Sequence, residues 1–367
     1  MSARIPLVDL GWQHRQIRGL LTPQLDAAMT AAQFVGGPAL AAFEEAFASS
    51  CGAAYCVGVA NGTDAIELTL RAAGIGPGDA VVLPANTFIA SVEGITATGA
   101  TPVFVDCDAT LLMDTDAAIA ALSQGARAVL PVHLYGQATD TAALSAAASE
   151  ADAVVVEDAA QSQGVRIGSR SIGAHALAAT TSFYPGKNLG AYGDGGAVVT
   201  DDHDLADRVR LIANHGSRTR YVHEVLGRNS RLDAIQALVL LLKLDRLSEW
   251  NDLRRVAARR YDALLAGLPV VIPPRAKSRD HVWHLYVVRV PERDRVLQAL
   301  SRDGVEAAVH YPTPAHLHEA TRSLGYGVGD FPRAERAAGE ILSLPLYPGI
   351  TEEQQERVVI SLASALH

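Results

Sequence analysis

A lysine in a glycine-rich segment is the first candidate for chemistry. The run "SFYPGKNLGAYGDGG" covers residues 182–196 and places Lys187 directly after a Pro-Gly pair, with four glycines in the next nine residues. Glycines let a backbone pass close to a ligand, and a lysine amine becomes a nucleophile where its surroundings lower its pKa. The letters "PGKN" lack the leading glycine and the following Ser or Thr of a P-loop. Lys187 is therefore either a reactive amine or an ordinary turn residue.

Two acids follow an apolar run further up the chain. In "VVVEDAAQSQG", residues 154–164, three valines lead into Glu157 and Asp158. Acids at the carboxyl end of a buried parallel strand lie where such sheets bind ligands. An acid there can pair with a metal or with a protonated ring nitrogen. An N-cap is the alternative interpretation of Asp158, and the two have even weight.

Two more segments carry weaker signals. In "VANGTDAIELTL" a strand ends, Gly62 turns and Thr63 opens a helix. Free N–H groups at a helix start, together with a hydroxyl, form a phosphate site, although a plain turn and cap is the alternative. Phe88 in "PANTFIAS" follows another strand end. Its ring suits either stacking on a planar cofactor or packing in the core.

The four features together favour one cofactor. A lysine, an acid, a phosphate site and an aromatic ring on loops of one sheet edge are what pyridoxal phosphate requires. The lysine binds the aldehyde, and the acid keeps the pyridine nitrogen protonated. The histidine pairs in "HVWH" and "HLH" have no Cys or carboxylate at ligand spacing, so we expect no metal site. No G-x-S-x-G elbow supports a serine nucleophile.

The elements around these residues predict an α/β fold. Short β-rich runs alternate with helical patterns over the first two thirds of the 367 residues, which indicates βαβ units and a mostly parallel sheet between helices. From about Asp233 a long helix is predicted, followed by a smaller α+β region. We therefore predict a large α/β domain over residues 1–245 and a small C-terminal α+β domain over residues 246–367.

Composition limits the partners. A net charge of -9 gives no electrostatic footprint for nucleic acid or anionic lipid. The three cysteines are odd in number and form no CxxC, as expected for reduced thiols in a cytoplasmic protein. The most apolar run, "AIQALVLLLKL", is interrupted by Gln236 and Lys243 and is too short for a membrane span. The first residues lack the apolar stretch of a signal peptide.

Motifs along nearly the whole chain resemble those of a known family. The chain is similar to the sugar aminotransferases often named after DegT and StrS, a branch of the fold-type I pyridoxal phosphate enzymes. The motifs that carry the resemblance occur in the family's order: "IPLVDL", "NGTDAIELTL", "EDAAQSQG", "SFYPGKNLGAYGDGGAVVTDD", "GRNSRLDAIQA" and "HYPTPAHLH". The resemblance implies a fold-type I architecture and pyridoxal 5'-phosphate as cofactor.

The resemblance also implies individual roles. Lys187 would form the Schiff base with the cofactor and then shuttle a proton between substrate and cofactor carbons. Asp158 would pair with the ring nitrogen and Gln161 would lie beside the ring hydroxyl. The remaining implied cofactor contacts are Gly62, Thr63 and Ser182 at the phosphate, Phe88 stacked on the ring, and Asn229 at the phosphate of a neighbouring subunit. Asn229 thereby implies a homodimer with shared active sites.

The implied reaction moves an amino group from L-glutamate to a nucleotide-linked keto sugar. The chain looks most like the members that aminate C-3 of a dTDP-3-keto-6-deoxyhexose. Candidate sugar contacts are Tyr184, His310 and Tyr311. A loop over residues 218–224, with Arg220 and Tyr221, would close over the nucleotide. Many relatives have Lys where this chain has Arg220, and a forked guanidinium binds phosphate differently.

Four alternatives remain at this point. One is a C-4 keto-sugar aminotransferase acting on a UDP, GDP or dTDP sugar. A second is a pyridoxal phosphate sugar dehydratase of the same fold, in which relatives carry His in place of the lysine. The third is a non-catalytic regulator that retains the fold, and the fourth is a nucleotide-binding protein without pyridoxal phosphate. Lys187 and the complete set of cofactor residues favour the aminotransferase.

Overall fold

The computed structural model describes residues 4–168, 170–275 and 279–367. The α-helices within these ranges are α1 (Leu10–Thr30), α2 (Pro38–Cys51), α3 (Gly62–Ala72), α4 (Ile89–Thr96), α5 (Thr115–Ser123), α6 (Thr141–Glu150), α7 (His203–Ala213), α8 (Ala234–Leu264), α9 (Arg293–Arg302), α10 (Pro332–Glu340) and α11 (Glu352–Ala365). The strands are β1 (Tyr55–Val59), β2 (Ala80–Pro84), β3 (Thr101–Val105), β4 (Ala128–Val129), β5 (Val154–Asp158), β6 (Ala178–Ser182), β7 (Gly196–Thr200), β8 (Tyr286–Arg289) and β9 (Ile341–Leu344).

The large sheet has seven strands in the order β1-β7-β6-β5-β4-β2-β3. β7 runs antiparallel to both of its neighbours, and the remaining pairs are parallel. The mostly parallel sheet predicted from the sequence is therefore confirmed. In the register of β5 and β6, Asp158 lies opposite Thr180, so the two strands end close together at one edge. That edge receives the acid from β5 and the segment of Lys187 from β6.

Both faces of this sheet are buried. Along β2, Val81 and Leu83 pack into one hydrophobic cluster while Val82 between them packs into another. Successive side chains of a strand point to opposite faces, so two clusters on alternate residues mean that helices cover the sheet on both sides. Burial of such aliphatic side chains supplies roughly 1.5–3 kcal/mol each. The continuous apolar runs of the sequence follow from this arrangement.

Helix α8 joins the two parts of the chain. It begins after the N-cap Asp233 and continues without a break across residue 245, where the sequence analysis divides the domains. The helix packs against α1 and α2 in its first part and also against α11 near the C-terminus. The division at residues 245 and 246 stays a prediction, because the helix belongs to both sides of it.

The C-terminal part is built around the antiparallel pair β8–β9. Ile5, close to the start of the chain, packs in the same hydrophobic cluster as β8, α9 and α11. It pairs with Val305 in an isolated parallel bridge. In the described ranges, no helix combines the length and apolar character needed to cross a membrane.

Candidate active site

A cavity of about 620 Å³ opens at the carboxyl edge of the large sheet. Its walls come from the ends of β5 and β6, the starts of α3 and α4, and two C-terminal segments at residues 284–285 and 310–311. Nine of the predicted site residues line it: Gly62, Thr63, Phe88, Asp158, Gln161, Ser182, Lys187, His310 and Tyr311, with Tyr184 at its rim as a tenth. The structure therefore brings together residues that lie up to 250 positions apart.

Lys187 stands in the turn that follows β6. Its backbone N–H donates to the carbonyl of Tyr184 at 2.9 Å, which closes the turn. Burial lowers the pKa of the Lys187 ammonium to about 8, and the negative charge of Asp158 opposes that shift. Within the described residues no hydrogen bond or ion pair involves Nζ. The amine is thus available for chemistry near neutral pH.

Asp158 ends β5 and is almost fully buried, with 6% of its surface exposed. Its Oδ2 accepts a hydrogen bond from Ser91 Oγ at 2.7 Å, and its Oδ1 accepts one from the N–H of Ala160 at 3.1 Å. Ser91 is itself bonded to Thr87 through the hydroxyls at 2.7 Å. These donors fix the orientation of the carboxylate, which lines the cavity. An N-cap is not its main role, because no α-helix starts at this residue.

The start of α3 forms an anion site. Asn61 caps the helix by accepting the N–H of Asp64 at 2.8 Å, and the N–H groups of Gly62 and Thr63 have no partner within a helix turn. A Cβ on Gly62 would stand 2.7 Å from the Cβ of Ser182, so only glycine lets β6 pass this close. The result is two N–H groups, two hydroxyls and the positive end of a helix dipole at one point of the cavity.

A substitution at Gly196 tests how closely the backbone packs around the start of α3. A Cβ there would overlap the backbone carbonyl of Asn61 and lie 2.9 Å from the amide nitrogen of Gly62. We expect Gly196→Ala to lower the free energy of unfolding by about 1–3 kcal/mol and to weaken retention of a phosphate-bearing ligand. Gly339→Ala is the matched control, since nothing lies near its Cβ and alanine favours a helix. Urea unfolding of both variants measures the difference; equal effects would contradict the close approach.

Aromatic and amide groups form the opposite wall. Phe88 is half-exposed, and its ring centroid lies 5.0 Å from that of Tyr311. Core packing, the alternative for Phe88, is therefore not observed. Gln161 donates from Nε2 to the Tyr311 hydroxyl at 3.1 Å and accepts the N–H of Tyr135 at 2.6 Å. Burial and the charge of Asp158 raise the pKa of Tyr311, so its hydroxyl stays protonated.

His310 completes this wall. Its Nδ1 lies 2.8 Å from Ser343 Oγ, and its backbone carbonyl accepts the hydroxyl of Tyr135 at 2.6 Å. Burial and the charge of Lys187 lower the pKa of His310 to about 4, so the ring is neutral at physiological pH. Tyr184 is exposed at the mouth of the cavity. Their predicted contacts with a sugar stay predictions.

Three predicted residues lie outside the cavity of their own chain. Arg220 and Tyr221 are exposed, and the Arg220 guanidinium lies 4.9 Å from the centroid of the Tyr221 ring. Asn229 is exposed beside Asn214, with which it forms an isolated antiparallel bridge. Their assigned contacts with a nucleotide and with a neighbouring subunit stay predictions.

Helix α8 holds the segment after Lys187 in place. Asn251 Oδ1 accepts from Asn188 at 2.8 Å, Lys243 Nζ donates to the carbonyl of Gly190 at 2.6 Å, and Gln236 Oε1 accepts the N–H of Tyr192 at 2.7 Å. Residues 251, 243 and 236 lie on one helix face, and residues 188, 190 and 192 are alternate residues of the irregular segment that follows Lys187. These three hydrogen bonds to α8 hold the glycine-rich segment in one conformation.

Sequence reasoning missed several of these contributions. Lys243 and Gln236 were recognised only as interruptions of an apolar run, and this interruption was the available signal. His284 lines the cavity but was considered only as half of a metal pair. Leu7 and Val8 line it from the first segment of the chain, with no local sign of this role. In the part of the chain that the structure describes, no cluster of His, Cys, Asp and Glu is arranged to hold a metal.

Known proteins are similar to this chain along nearly its whole length. The sequence profile of the DegT/DnrJ/EryC1/StrS aminotransferase family matches residues 16–363. A dTDP-3-amino-3,4,6-trideoxy-alpha-D-glucose transaminase from Streptomyces venezuelae is 43% identical over 98% of this chain and 95% of its own. A "pleiotropic regulatory protein" from Geobacillus stearothermophilus is also 43% identical, over 98% of both chains. The crystal structure of S. venezuelae DesV in complex with a ketimine intermediate superposes with a TM-score of 0.96 at 42% identity, covering 99% of this chain and 98% of that one.

The chain therefore belongs to the DegT/DnrJ/EryC1/StrS aminotransferase family. It is a pyridoxal phosphate-dependent aminotransferase with the fold of that family, and the resemblance identified from the sequence is confirmed.

The residues present fit pyridoxal 5'-phosphate. The unbonded Nζ of Lys187, the buried carboxylate of Asp158 and the free N–H groups at the start of α3 match its aldehyde, ring nitrogen and phosphate. When bound, the cofactor supplies an aldehyde that carries the amino group and a ring that withdraws electrons. The chain supplies the negative charge of Asp158, the hydrogen bonds from the start of α3, and the Lys187 amine that can carry a proton.

Proposed function

We propose that this sugar aminotransferase transfers the amino group of L-glutamate to C-3 of a nucleotide-linked keto sugar, namely a dTDP-3-keto-6-deoxyhexose, in deoxysugar biosynthesis. The observation that carries the proposal is the unbonded amine of Lys187 beside the buried Asp158, in a chain 43% identical to a transaminase of a dTDP-3-amino sugar. C-4 amination of a UDP, GDP or dTDP sugar is the second candidate.

The lining of the cavity supports an uncharged sugar ring. Lys187 is the one Lys or Arg among the described residues that line it, and both histidines of the lining are neutral. Aliphatic side chains, including Leu7, Val8 and Leu285, cover much of the rest. A 6-deoxy sugar, with its methyl group, suits such an apolar wall.

Lys187 and Asp158 have different roles in the proposed reaction. Lys187 Nζ, neutral in a useful fraction of molecules, removes the proton from Cα of the amino acid. The same nitrogen returns a proton at the sugar carbon that receives the amino group, so one base serves both half-reactions. The Asp158 carboxylate would hold a proton on the ring nitrogen of the bound cofactor. The dehydratase alternative is disfavoured, because Lys187 occupies the position where those relatives carry His.

A homodimer with shared active sites belongs to the same proposal. Asn229 is exposed outside its own cavity, where it could reach the phosphate site of a neighbouring subunit. Large apolar side chains are exposed on two nearby loops, with Val35 at 53% on one and Tyr221 at 80% and Leu226 at 91% on the other. Such side chains favour a partner of the same chain. A cytoplasmic location is also proposed, since all three cysteines are free and buried.

An absorption spectrum of the purified protein tests the function directly. We expect a yellow protein that loses its colour when L-glutamate converts the cofactor to the pyridoxamine form. The yellow colour should return when a dTDP-3-keto-6-deoxyhexose is added. A protein that stays yellow with glutamate would point to another donor. Consumption of the keto sugar without any donor would favour the dehydratase, and a protein that takes up no pyridoxal 5'-phosphate would refute the assignment.

A further inference from the structure

One imidazole of the cavity has a fixed tautomer. His284 Nδ1 lies 3.1 Å from Asn188 Oδ1. The amide of Asn188 has one orientation, because its Nδ2 donates to Asn251 Oδ1 at 2.8 Å and to the carbonyl of Val282 at 2.9 Å. Its oxygen therefore faces the imidazole, and an amide oxygen only accepts hydrogen bonds. His284 must carry a proton on Nδ1.

Helix α8 holds this imidazole from two directions. Asn251 acts through Asn188, as described. Arg254, three residues further along the same helix face, is buried and donates from Nη1 to the carbonyl of Trp283 at 3.3 Å, directly before His284. Side chain and backbone of His284 are thus both anchored to the helix that aligns the segment after Lys187.

The surroundings keep the ring neutral. Burial lowers the pKa of His284 well below its ordinary value, and the positive charges of Lys187 and Arg254 lower it further. Asp158 faces Lys187 from β5, and no carboxylate among the described residues bonds to the His284 ring. A neutral imidazole with its proton on Nδ1 has a lone pair on Nε2. Within the described residues this Nε2 has no hydrogen-bond partner.

We propose that His284 is a positioning residue for Lys187, whose free amine or ammonium donates a hydrogen bond to the Nε2 lone pair. The proposal rests on the proposed function, which makes Lys187 Nζ the group that moves protons. Four rotatable bonds let a lysine amine sample many positions, and among the described residues no acceptor bonds to it. Lys187 and His284 both line the cavity, so the unpartnered Nε2 is an acceptor in the same space as the amine. Held by Nε2, the amine stays in the cavity after it has taken up a proton, ready to return it.

Two amide substitutions distinguish the roles of the two nitrogens of the His284 ring. In His284→Asn, the amide stands near the place of Nδ1 and keeps the bond to Asn188, but nothing replaces Nε2. In His284→Gln, the longer side chain places an amide oxygen near Nε2. His203→Asn, at an exposed histidine at the start of α7, controls for loss of an imidazole elsewhere. Melting temperatures of all three establish that they fold.

The measurement is the rate at which cofactor-free protein captures added pyridoxal 5'-phosphate, followed by absorbance between pH 6 and 10. It needs neither glutamate nor a sugar. The wild-type rate should rise with a midpoint of about 8, the pKa of the amine. We expect His284→Asn to shift the midpoint downward, because the ammonium loses an acceptor, and to reduce the limiting rate at high pH by about tenfold. His284→Gln should stay within about threefold of the wild type.

The outcomes are distinct. The proposal stands if the midpoint and limiting rate of His284→Gln lie closer to those of the wild type than the values of His284→Asn do. Any other order overturns it, because the His284 ring would then act only as a hydrogen-bond donor to Asn188. Failure of the wild type to capture the aldehyde refutes the proposed function instead. If His284→Asn does not fold, nitrogen NMR of histidine-labelled wild-type protein decides: a protonated Nε2 on His284 excludes it as an acceptor for Lys187.

Discussion

Lys187→Ala is expected to abolish turnover while the protein still binds pyridoxal 5'-phosphate. The variant loses both the amine that captures the aldehyde and the base that moves the proton, and proton transfer alone contributes about 10²–10⁴-fold to such rates. The helix start at Gly62, the carboxylate of Asp158 and the ring of Phe88 remain to hold the cofactor without a covalent bond. Steady-state assays with glutamate and an equilibrium dialysis of the cofactor measure the two effects.

The chain offers an unusually clean control for this experiment. It contains only three lysines, at positions 187, 243 and 277, so borohydride reduction followed by peptide mass spectrometry locates the captured aldehyde without ambiguity. Lys187→Arg keeps the positive charge but cannot form the covalent bond, and should be as inactive as Lys187→Ala. Full activity in either variant, or an adduct on Lys243, would show that the base has been misassigned.

The pH dependence of capture follows from the burial of Lys187. Since its pKa is lowered to about 8, the amine is mostly neutral above that pH and mostly charged below it. One pH unit below the pKa, about a tenth of the molecules hold the reactive neutral form. An exposed lysine would hold far less. The burial that fixes the segment after β6 therefore also activates the amine.

The sheet was predictable because its strands are short apolar runs bounded by glycine, proline and acids. The three valines that precede Glu157, for example, all lie in β5. Contacts between distant segments were not predictable in the same way. Ile5 pairs with Val305 across 300 positions, and nothing near either residue indicates the other. The continuity of α8 through residue 245 likewise depends on packing with both parts of the chain.

The candidate site likewise contains residues that local sequence signals predict and residues whose roles depend on contacts between distant segments. Lys187, Asp158 and Gly62 were predictable, because each follows a strand end and parallel strands deliver their carboxyl ends to one edge. His284 was not, since its role depends on the orientation of Asn188, which in turn depends on Asn251 in another element. The polar residues that interrupt the apolar run of α8 were visible in the sequence. Their partners became apparent only with the three-dimensional structure.

Asp158→Asn is expected to retain the cofactor and to lose most activity in both half-reactions. Asparagine has nearly the same shape, and its one amide oxygen can accept either from Ser91 Oγ or from the N–H of Ala160, so the surrounding fold should persist. It carries no charge, however, and cannot keep the ring nitrogen protonated. A hydrogen bond to a charged group contributes about 1.5–3 kcal/mol, and loss of about 2.7 kcal/mol in the transition state slows a reaction roughly a hundredfold.

A graded series distinguishes charge from shape at Asp158. Ser91→Ala removes one hydrogen bond to the carboxylate but leaves the charge, so it should slow the reaction in the same direction by only several-fold. Asp204→Asn makes the same chemical change at an exposed residue of α7 and should have no effect. Stopped-flow absorbance with L-glutamate gives the rate of the first half-reaction for each variant. Equal losses in Asp158→Asn and Ser91→Ala would mean that the carboxylate acts by its place in the hydrogen-bond network, and its charge would then have no separate part in the chemistry.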